Sequence, residues 1–447
     1  MRGQALLKRR ALLLATAALP LLPAAAAATA DAGLNAYSLA TRGWAEATGG
    51  RGGRILRVTS LAESGPGTLR EAVEAEGPRI VVFEVGGVID FGGKPLKITQ
   101  PHLTIAGQTA PHPGISVIKA ETMITTYNVI IQHLMFRPGE FGRPKKGGGD
   151  QDGISTLAGA HDVIVDHCSF SWATDENLSA SGPRFGGATP ADWRLGTSHR
   201  ITYSHNLIYE GLSHSVHEKG EHSKGSLIHD NTSQVLLLGN LYASNRQRNA
   251  LFKGGAQGAM VNNLIFNPGD RAVHYNLIAK EWEGQPHQTG RLSLVGNVLR
   301  HGPDTTPGLP LFLLLQQGDV ELHLADNLAS DRSGKAMPMT ANAPGATGRI
   351  LAMERAELPA GLPVLPATQL AERLPALVGA RPWDRDAIDA RLLADMARGQ
   401  GRIIDAETEN PLGYPRYAAT RRAFREQDWN LDDMSPKAGW HSLAIKQ

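Results

Sequence analysis

One cysteine, Cys168, stands in the 447 residues, so no intramolecular disulfide can form. It lies in the apolar run VIVDHCSF, a setting that favours a packed, inert thiol over a nucleophile. Aromatic residues are scarce at 6%, and neither charge sign dominates, with 45 Lys and Arg against 43 Asp and Glu. That balance argues against nucleic-acid binding through a global basic field and leaves only local basic patches. Beyond the first 30 residues no apolar run is long enough to cross a membrane as a helix. Long helical periodicities between strands are also missing, which argues against a βαβ protein. Glycine, by contrast, is plentiful at 50 residues. It has no collagen period, and the apolar content is too high for disorder, so many tight turns between short strands are expected.

Residues 1–30 read as a signal peptide. Arg2, Lys8, Arg9 and Arg10 form a basic start, Ala11–Leu22 is a short apolar run, and Ala28-Thr29-Ala30 is a small-residue cleavage site. Arg9-Arg10 raises twin-arginine export. The general secretory route fits better, because the rest of the twin-arginine pattern is imperfect. The expected location is secreted or periplasmic. Without residues 1–30 the chain holds 41 basic and 43 acidic residues, a net charge of −2.

A short phrase recurs along the chain: IIQHLMF (130–136), IVDHCSF (164–170), TYSHNLI (202–208), LLGNLYA (237–243), MVNNLIF (260–266) and LVGNVLR (294–300), with a weaker copy in HLADNLA (323–329). With His133, His167, His205, Asn240, Asn263 and Asn297 as markers, the spacings are 34, 38, 35, 23 and 34. A fixed local phrase at irregular period suits a solenoid with loops inserted on one side. The unequal spacing argues against a propeller; a β-sandwich is the other alternative. Alternating apolar residues read as strands, and Asn at a turn tolerates the left-handed conformation and can bond the Asn of the next coil. The expected fold is all-β, a parallel β-helix over residues 31–345 with Asn, His and Cys stacked at one corner. Thr68–Val73 reads as an N-terminal cap helix, and Ile80–Val85, Val88–Asp90 and Leu103–Ala106 as the first strands. Residues 346–447 read as an extension with two helices, Ala367–Leu377 and Trp383–Arg398, the second capped by Asp384 or Asp386 and packing across or capping the solenoid.

Several stretches resemble the pectate lyases built as right-handed parallel β-helices. They are GGRGGRILRVTSLAESGPGTLREAV, LTIAGQTAP (103–111), GDQDGISTLAGAHDVIVDHCSFSWATDE, RITYSHNLIYE, HSKGSLI, NRQRNALFKGG and VGARPWDRDAIDARLL. Together they span roughly residues 43–400. The resemblance implies β-elimination on polygalacturonate with calcium as cofactor. It assigns Asp150, Asp152 and Asp175 to the metal, Arg248 as catalytic base and Lys224 to substrate. Glu176 adjoins the third acid and could compensate for Ser179, which stands where the family often has another Asp. The family's Pro and Arg after the base are here Ala250 and Lys253; Lys253 keeps the charge without the planar fork. Lys253 and Arg271 are the further substrate-binding candidates. An arginine base implies an alkaline optimum, since its usual pKa is about 12.5 or higher. A monomer acting on pectin is expected, with no nucleic-acid or membrane partner.

Each residue has a plainer reading. Asp150 and Asp152 follow Gly147-Gly148-Gly149 and could be turn residues. Arg246, Arg248 and Lys253 could be a solvated basic edge, and Asp166-His167 reads as a structural corner. His214, His217 and His222 carry a zinc-like spacing, but their loop setting gives the plainer reading precedence. Two other functional readings stand beside the first: a lyase for methylated pectin or another uronate polymer, and a non-catalytic β-helix binding acidic glycans. A hydrolase lacks a free carboxylate pair.

Overall fold

The structure, a computed structural model, describes residues 39 and 41–437, so the expected signal peptide over residues 1–30 and the last ten residues lie outside the described part. Among the described residues, three sheets of 11, 10 and 9 strands, parallel except for one edge strand of the second, wind around one core. A single coil shows the plan: His161–Asp166 belongs to the first sheet, Ser169–Ser171 to the second and Leu178–Ala180 to the third. The next coil returns to the first sheet at His199–Ser204, with Val163 opposite Ile201 and Ile164 opposite Thr202. This is a parallel β-helix. Inward residues stack in columns: Val129, Val163, Ile201 and Val235 occupy successive coils and are fully buried. Phe136 stacks on Phe170 at 5.3 Å. Interior layers repeat because parallel pairing in fixed register places like residues above like.

The corner between the first and second sheets takes two residues per coil, and it corrects the sequence alignment by one position. The first corner residue is left-handed: His133, His167, His205, Gly239, Asn262, Gly296 and Asp326 have φ between 48° and 68°. The second forms the ladder. The backbone N–H groups of Cys168, Asn206, Asn240, Asn263 and Asn297 each donate at 2.9 Å to the side-chain oxygen of the next coil's Asn, ending at Asn327. The left-handed residue and the ladder residue are therefore different residues. His133, His167 and His205 form a stack of their own beside the ladder, with ring centroids 5.1 and 4.8 Å apart. Burial holds His133 down at about 3, and burial with Asp166 nearby pushes the Cys168 thiol up, so the thiol stays inert.

The first end is closed by the helix Leu69–Glu74, whose N-cap Thr68 accepts from Glu71 N–H. Leu69, Ala72 and Val73 face the core. The buried Arg79 donates to the carbonyls of Ala72 and Val73, satisfying the helix C-terminus. The first strand is Arg54–Val58, earlier than the sequence suggested, and it pairs with Arg79–Phe83; Val85–Asp90 and Leu103–Ala106 follow as expected.

The solenoid continues past residue 345, since Ile350–Ala352 pairs with Val320–Leu322. The chain then turns back along the second sheet. Ala367–Arg373 is α-helical and tightens to a 3-10 turn at Leu374–Ala376, where Pro375 removes a donor. The second helix runs Ala387–Ala397 rather than from Trp383, because Asp386 is extended and caps it by accepting from Asp389 N–H. Leu370, Leu374, Ile388 and Leu392 bury Leu207, Leu241, Leu264 and Val298 of the second sheet. Thr420–Arg421 finally pairs antiparallel with Val85–Gly86 of the first coils.

Candidate active site

The connections from the second sheet to the third carry the chemistry. Glu121 immediately precedes strand Thr122–Ile124, and Asp152 lies two residues before Ile154–Thr156. Asp175 and Glu176 precede Leu178–Ala180, Lys224 precedes Leu227–Ile228, and Arg248 precedes Leu251–Lys253. Arg271 comes before Val273–Leu277. Parallel pairing puts these residues side by side along one edge, and Lys224 bridges to both Glu176 and Gln247. Acids occupy the earlier coils and cations the later ones.

Several bonds hold this edge in place. Asp152 Oδ1 accepts from Glu176 N–H at 2.9 Å. Asn177 Nδ2 donates to Asn245 Oδ1, and Asn245 Nδ2 donates to Asn249 Oδ1. This second set of buried asparagines pins the backbone under the charged residues, and the repeated phrase gave no sign of it. Arg248 has φ 60°, a conformation costly for a residue with a side chain and tolerated where the surroundings impose it. Its carbonyl accepts from Ser226 N–H at 2.6 Å. Its guanidinium contacts Glu176, and the Lys224 ammonium lies 3.9 Å from Asp175 Oδ1.

Asp152, Asp175 and Glu176 bring carboxylate oxygens within 4.8 Å of one another. Burial, then Asp175 and Glu121, raise the Asp152 carboxyl well above its usual range. Burial opposes ionisation of Asp175 as well, but His217, His222, Arg248 and Lys224 outweigh it and hold Asp175 well below its usual value. Glu121 is pushed up to about 7 by burial, with Asp150 and Asp175 adding to it. Lys224 is pushed down to about 8, mainly by burial and against the pull of Asp175. Burial also lowers Arg248, while Asp175 and Asp152 resist. Asp175 Oδ1 is buried without a hydrogen-bond partner. Glu176 Oε1, in contact with Arg248, likewise has no hydrogen-bond partner, and crowded hard oxygens with two such atoms fit a calcium-like cation, whose remaining ligands would come from water or substrate.

The expected residues fall into three groups. Asp152, Asp175, Glu176, Lys224 and Arg248 come together. Asp150 is exposed and lies outside the close carboxylate set, acting on Glu121 only through its charge. Arg271 donates to Gln247 Oε1 at 2.9 Å and adds positive potential at Arg248 and Lys224. Lys253 is drawn away: its ammonium pairs with Glu281 and lies 3.2 Å from Asp230 Oδ2, in a separate cluster with Arg184. Glu121 was missed; its one signal is its place just before a short strand, one coil ahead of Asp152. His217 and His222, set aside in the sequence, lie 3.6 and 3.4 Å from the two oxygens of Asp175.

No family model matches the chain. A protein of Aspergillus terreus described as probable pectate lyase C is 35% identical over 263 residues, covering 59% of this chain and 53% of that protein. Its namesake in Emericella nidulans is also 35% identical, with 52% of its length covered, so the chain spans about half of each of these relatives. One from Aspergillus flavus is 29% identical over 373 residues, 82% of this chain and 78% of that protein. Among solved structures, the major allergen of cedar pollen matches with TM-score 0.51 and 16% identity, covering 74% of this chain and 90% of its own. A pectate lyase bound to a hexasaccharide matches with TM-score 0.50 and 15% identity, covering 79% and 100%. At such identities the structural likeness is one of fold. The resemblance to pectate lyases read from the motifs is shared by these sequence relatives, and the parallel β-helix by the structural neighbours.

Proposed function

We propose that this chain is a secreted or periplasmic, calcium-dependent pectate lyase that cleaves polygalacturonate by β-elimination. The observation that carries the reading is the edge where Lys224 and Arg248 stand against Asp152, Asp175 and Glu176. The reaction removes the C5 proton of a uronate, beside a carboxylate that resists further negative charge. Lys224 is placed to pair with that carboxylate and to stabilise the enolate-like charge that develops. Arg248 is the base. Its burial and the neighbouring Arg271 favour the neutral form, but its contact with Glu176 favours the charged one. Arg248 therefore acts once that contact opens and Glu176 turns to the metal set. Asp152, Asp175 and Glu176 would hold calcium, which when bound would neutralise substrate carboxylate and make the C5 proton more acidic. Alkaline pH helps Arg248 but discharges Lys224 above about 8, so the two groups bound the activity from opposite sides.

Lys253 favours a second reading. With Glu281 and Asp230 neutralising it, the position beyond Arg248 offers no free cation to a uronate carboxylate. That suits methylated pectin or another uronate polymer with an uncharged unit there. The deciding experiment follows absorbance of unsaturated uronate from polygalacturonate at alkaline pH, with calcium, with chelator and with Arg248→Lys. A calcium-dependent signal lost in the variant is expected. A signal that survives chelation moves the case to a methylated substrate, and retention on the polymer with a flat trace leaves a glycan-binding protein.

A further inference from the structure

The loop between Leu212 and Lys224 closes on itself, with Ser223 N–H donating to Leu212 O at 2.9 Å and His222 N–H to Ser213 O at 2.8 Å. It carries three histidines, and the structure separates them. His214 is exposed and pairs with Asp405 at 3.0 Å. His217 and His222 are buried and stacked, with ring centroids 3.6 Å apart. Both aim Nε2 at Asp175: His217 lies 3.6 Å from Oδ2 and His222 3.4 Å from Oδ1.

Those separations are long for N–H···O hydrogen bonds, which run about 2.7–3.2 Å. They match instead the edge between neighbouring ligands of a tetrahedral ion, about 3.3 Å when each ligand sits about 2.0–2.1 Å from the centre. The three donor atoms all lie within 4.8 Å of one another. His222 is set as a metal-ligating histidine is usually set: its Nδ1 lies 3.0 Å from Glu221 O and donates to it, leaving the Nε2 lone pair facing Asp175. Asp175 Oδ1, opposite that lone pair, is buried with no hydrogen-bond donor. Between that Nε2 and the carboxylate oxygen, with Lys224 no nearer than 3.9 Å, either a proton, which gives the pairing that holds Asp175 ionised, or a metal ion in its place can sit. In His217, Nδ1 accepts from Lys219 N–H at 3.1 Å, so in the metal-free state the ring proton is on Nε2. Ion binding there moves that proton to Nδ1 and turns Lys219 N–H away.

We propose that Asp175, His217 and His222 form a second divalent-metal site for nitrogen-preferring ions of the zinc class, and that it shares Asp175 with the calcium set and so excludes calcium. Two imidazoles and one carboxylate with an open fourth position suit zinc, whereas calcium prefers oxygen alone. The exclusion of calcium rests on the function proposed above; the metal site itself does not.

The test uses the whole chain and cobalt(II) as a spectroscopic stand-in for zinc. One equivalent should give the visible absorption of a four-coordinate site and be displaced by zinc. His222→Gln should weaken cobalt binding by at least about 100-fold, the upper end of the cost of losing even an outer-sphere partner. His217→Gln carries the same expectation should His222→Gln not fold. His214→Gln and Asp152→Asn should keep the cobalt signal, and Asp152→Asn should lose calcium affinity by calorimetry. No signal at one equivalent, or one indifferent to both histidines or abolished by Asp152→Asn, overturns the site. Calcium and zinc binding without mutual competition overturns the exclusion. A chain with the cobalt signal but no lyase activity keeps the site and discards the proposed function.

Discussion

Two charged clusters sit on neighbouring stretches of the same coils, one on the second sheet and one where the third begins, and they are built differently. On the second sheet Arg137 is fully buried between Asp386 at 2.6 Å and Asp389 at 3.0 Å. Tyr209 OH donates to Asp389, and Tyr417 OH donates to Asp386. The returning C-terminal segment covers them all. At the edge of the third sheet, Asp152, Asp175 and Glu176 face Arg248 and Lys224 with Asp175 partly open to solvent. The closed cluster keeps its central cation charged: Asp386 and its neighbours hold Arg137 well above its usual value against the burial that opposes it, although burial and Asp386 raise Asp389. In the open cluster Asp152 is pushed toward its neutral form and Arg248 and Lys224 toward theirs. A buried charge set whose cation is matched by two carboxylates and covered by chain holds structure together, whereas one left short of a cation and bordered by solvent is equipped to take a ligand.

The sharpest way to break this contrast is to substitute the central arginine of each cluster. Arg248→Lys should lower turnover on polygalacturonate by on the order of 10²–10⁴-fold, the range for removing a positioned acid or base. Its urea midpoint should stay near the wild-type value. A matching loss of stability would put Arg248 with the structural cluster. Arg137→Met should do the reverse. It leaves Asp386 and Asp389 buried without their cation and should cost about 3–5 kcal/mol in urea denaturation. A loss under about 1 kcal/mol would mean that the covering segment does not depend on this network.

The sequence made some of this contrast legible. The corner phrase announced stacked coils, and the ladder lay at the Asn markers but one residue beyond the His markers. His at the left-handed position and Asn at the ladder position align easily when Gly239 or Gly296 can take the first place. Asp152, Asp175, Lys224 and Arg248 were picked out through the resemblance to pectate lyases, and the structure brings them together just before successive short strands. Glu121 precedes a strand of only three residues that the phrase does not include. The partners that neutralise Lys253 lie 23 and 28 positions away, at Asp230 and Glu281, and those of Asp175 in a distant loop. No local pattern encodes such meetings; they exist only once the coils are stacked. Arg137 and its two aspartates, 249 and 252 residues apart, were hidden for the same reason.

A smaller effect sharpens the contrast within the open cluster. Asp152→Asn should weaken calcium binding and, with chelator present, raise stability at neutral pH, because the amide carries no charge to bury beside Asp175 and Glu121. The sign follows from the raised carboxyl. Below the unfolded value near 4 the native state bears no penalty, and above it the penalty grows until the folded group ionises. A stability loss in chelator would show Asp152 to be structural, held by its bond from Glu176 N–H.

The last expected effect, read only in the pH profile, belongs to Glu121. Its value rises from 4.5 to about 7, so the native state binds its proton more tightly than the unfolded chain does. In chelator, stability should therefore decline as pH rises from about 4.5 to about 7 and level off above. Glu121→Gln should flatten that part of the pH–stability curve, read from urea midpoints at half-unit steps. Calcium should flatten it as well, because a nearby divalent cation returns Glu121 toward its ordinary value and removes the excess proton uptake. If Glu121→Gln flattens the curve and calcium does not, Glu121 is strained by its neighbours without sensing the metal set. If both do, the acid edge extends one coil beyond Asp152, and the unsatisfied charge that marks the site begins at the strand the sequence phrase passed over.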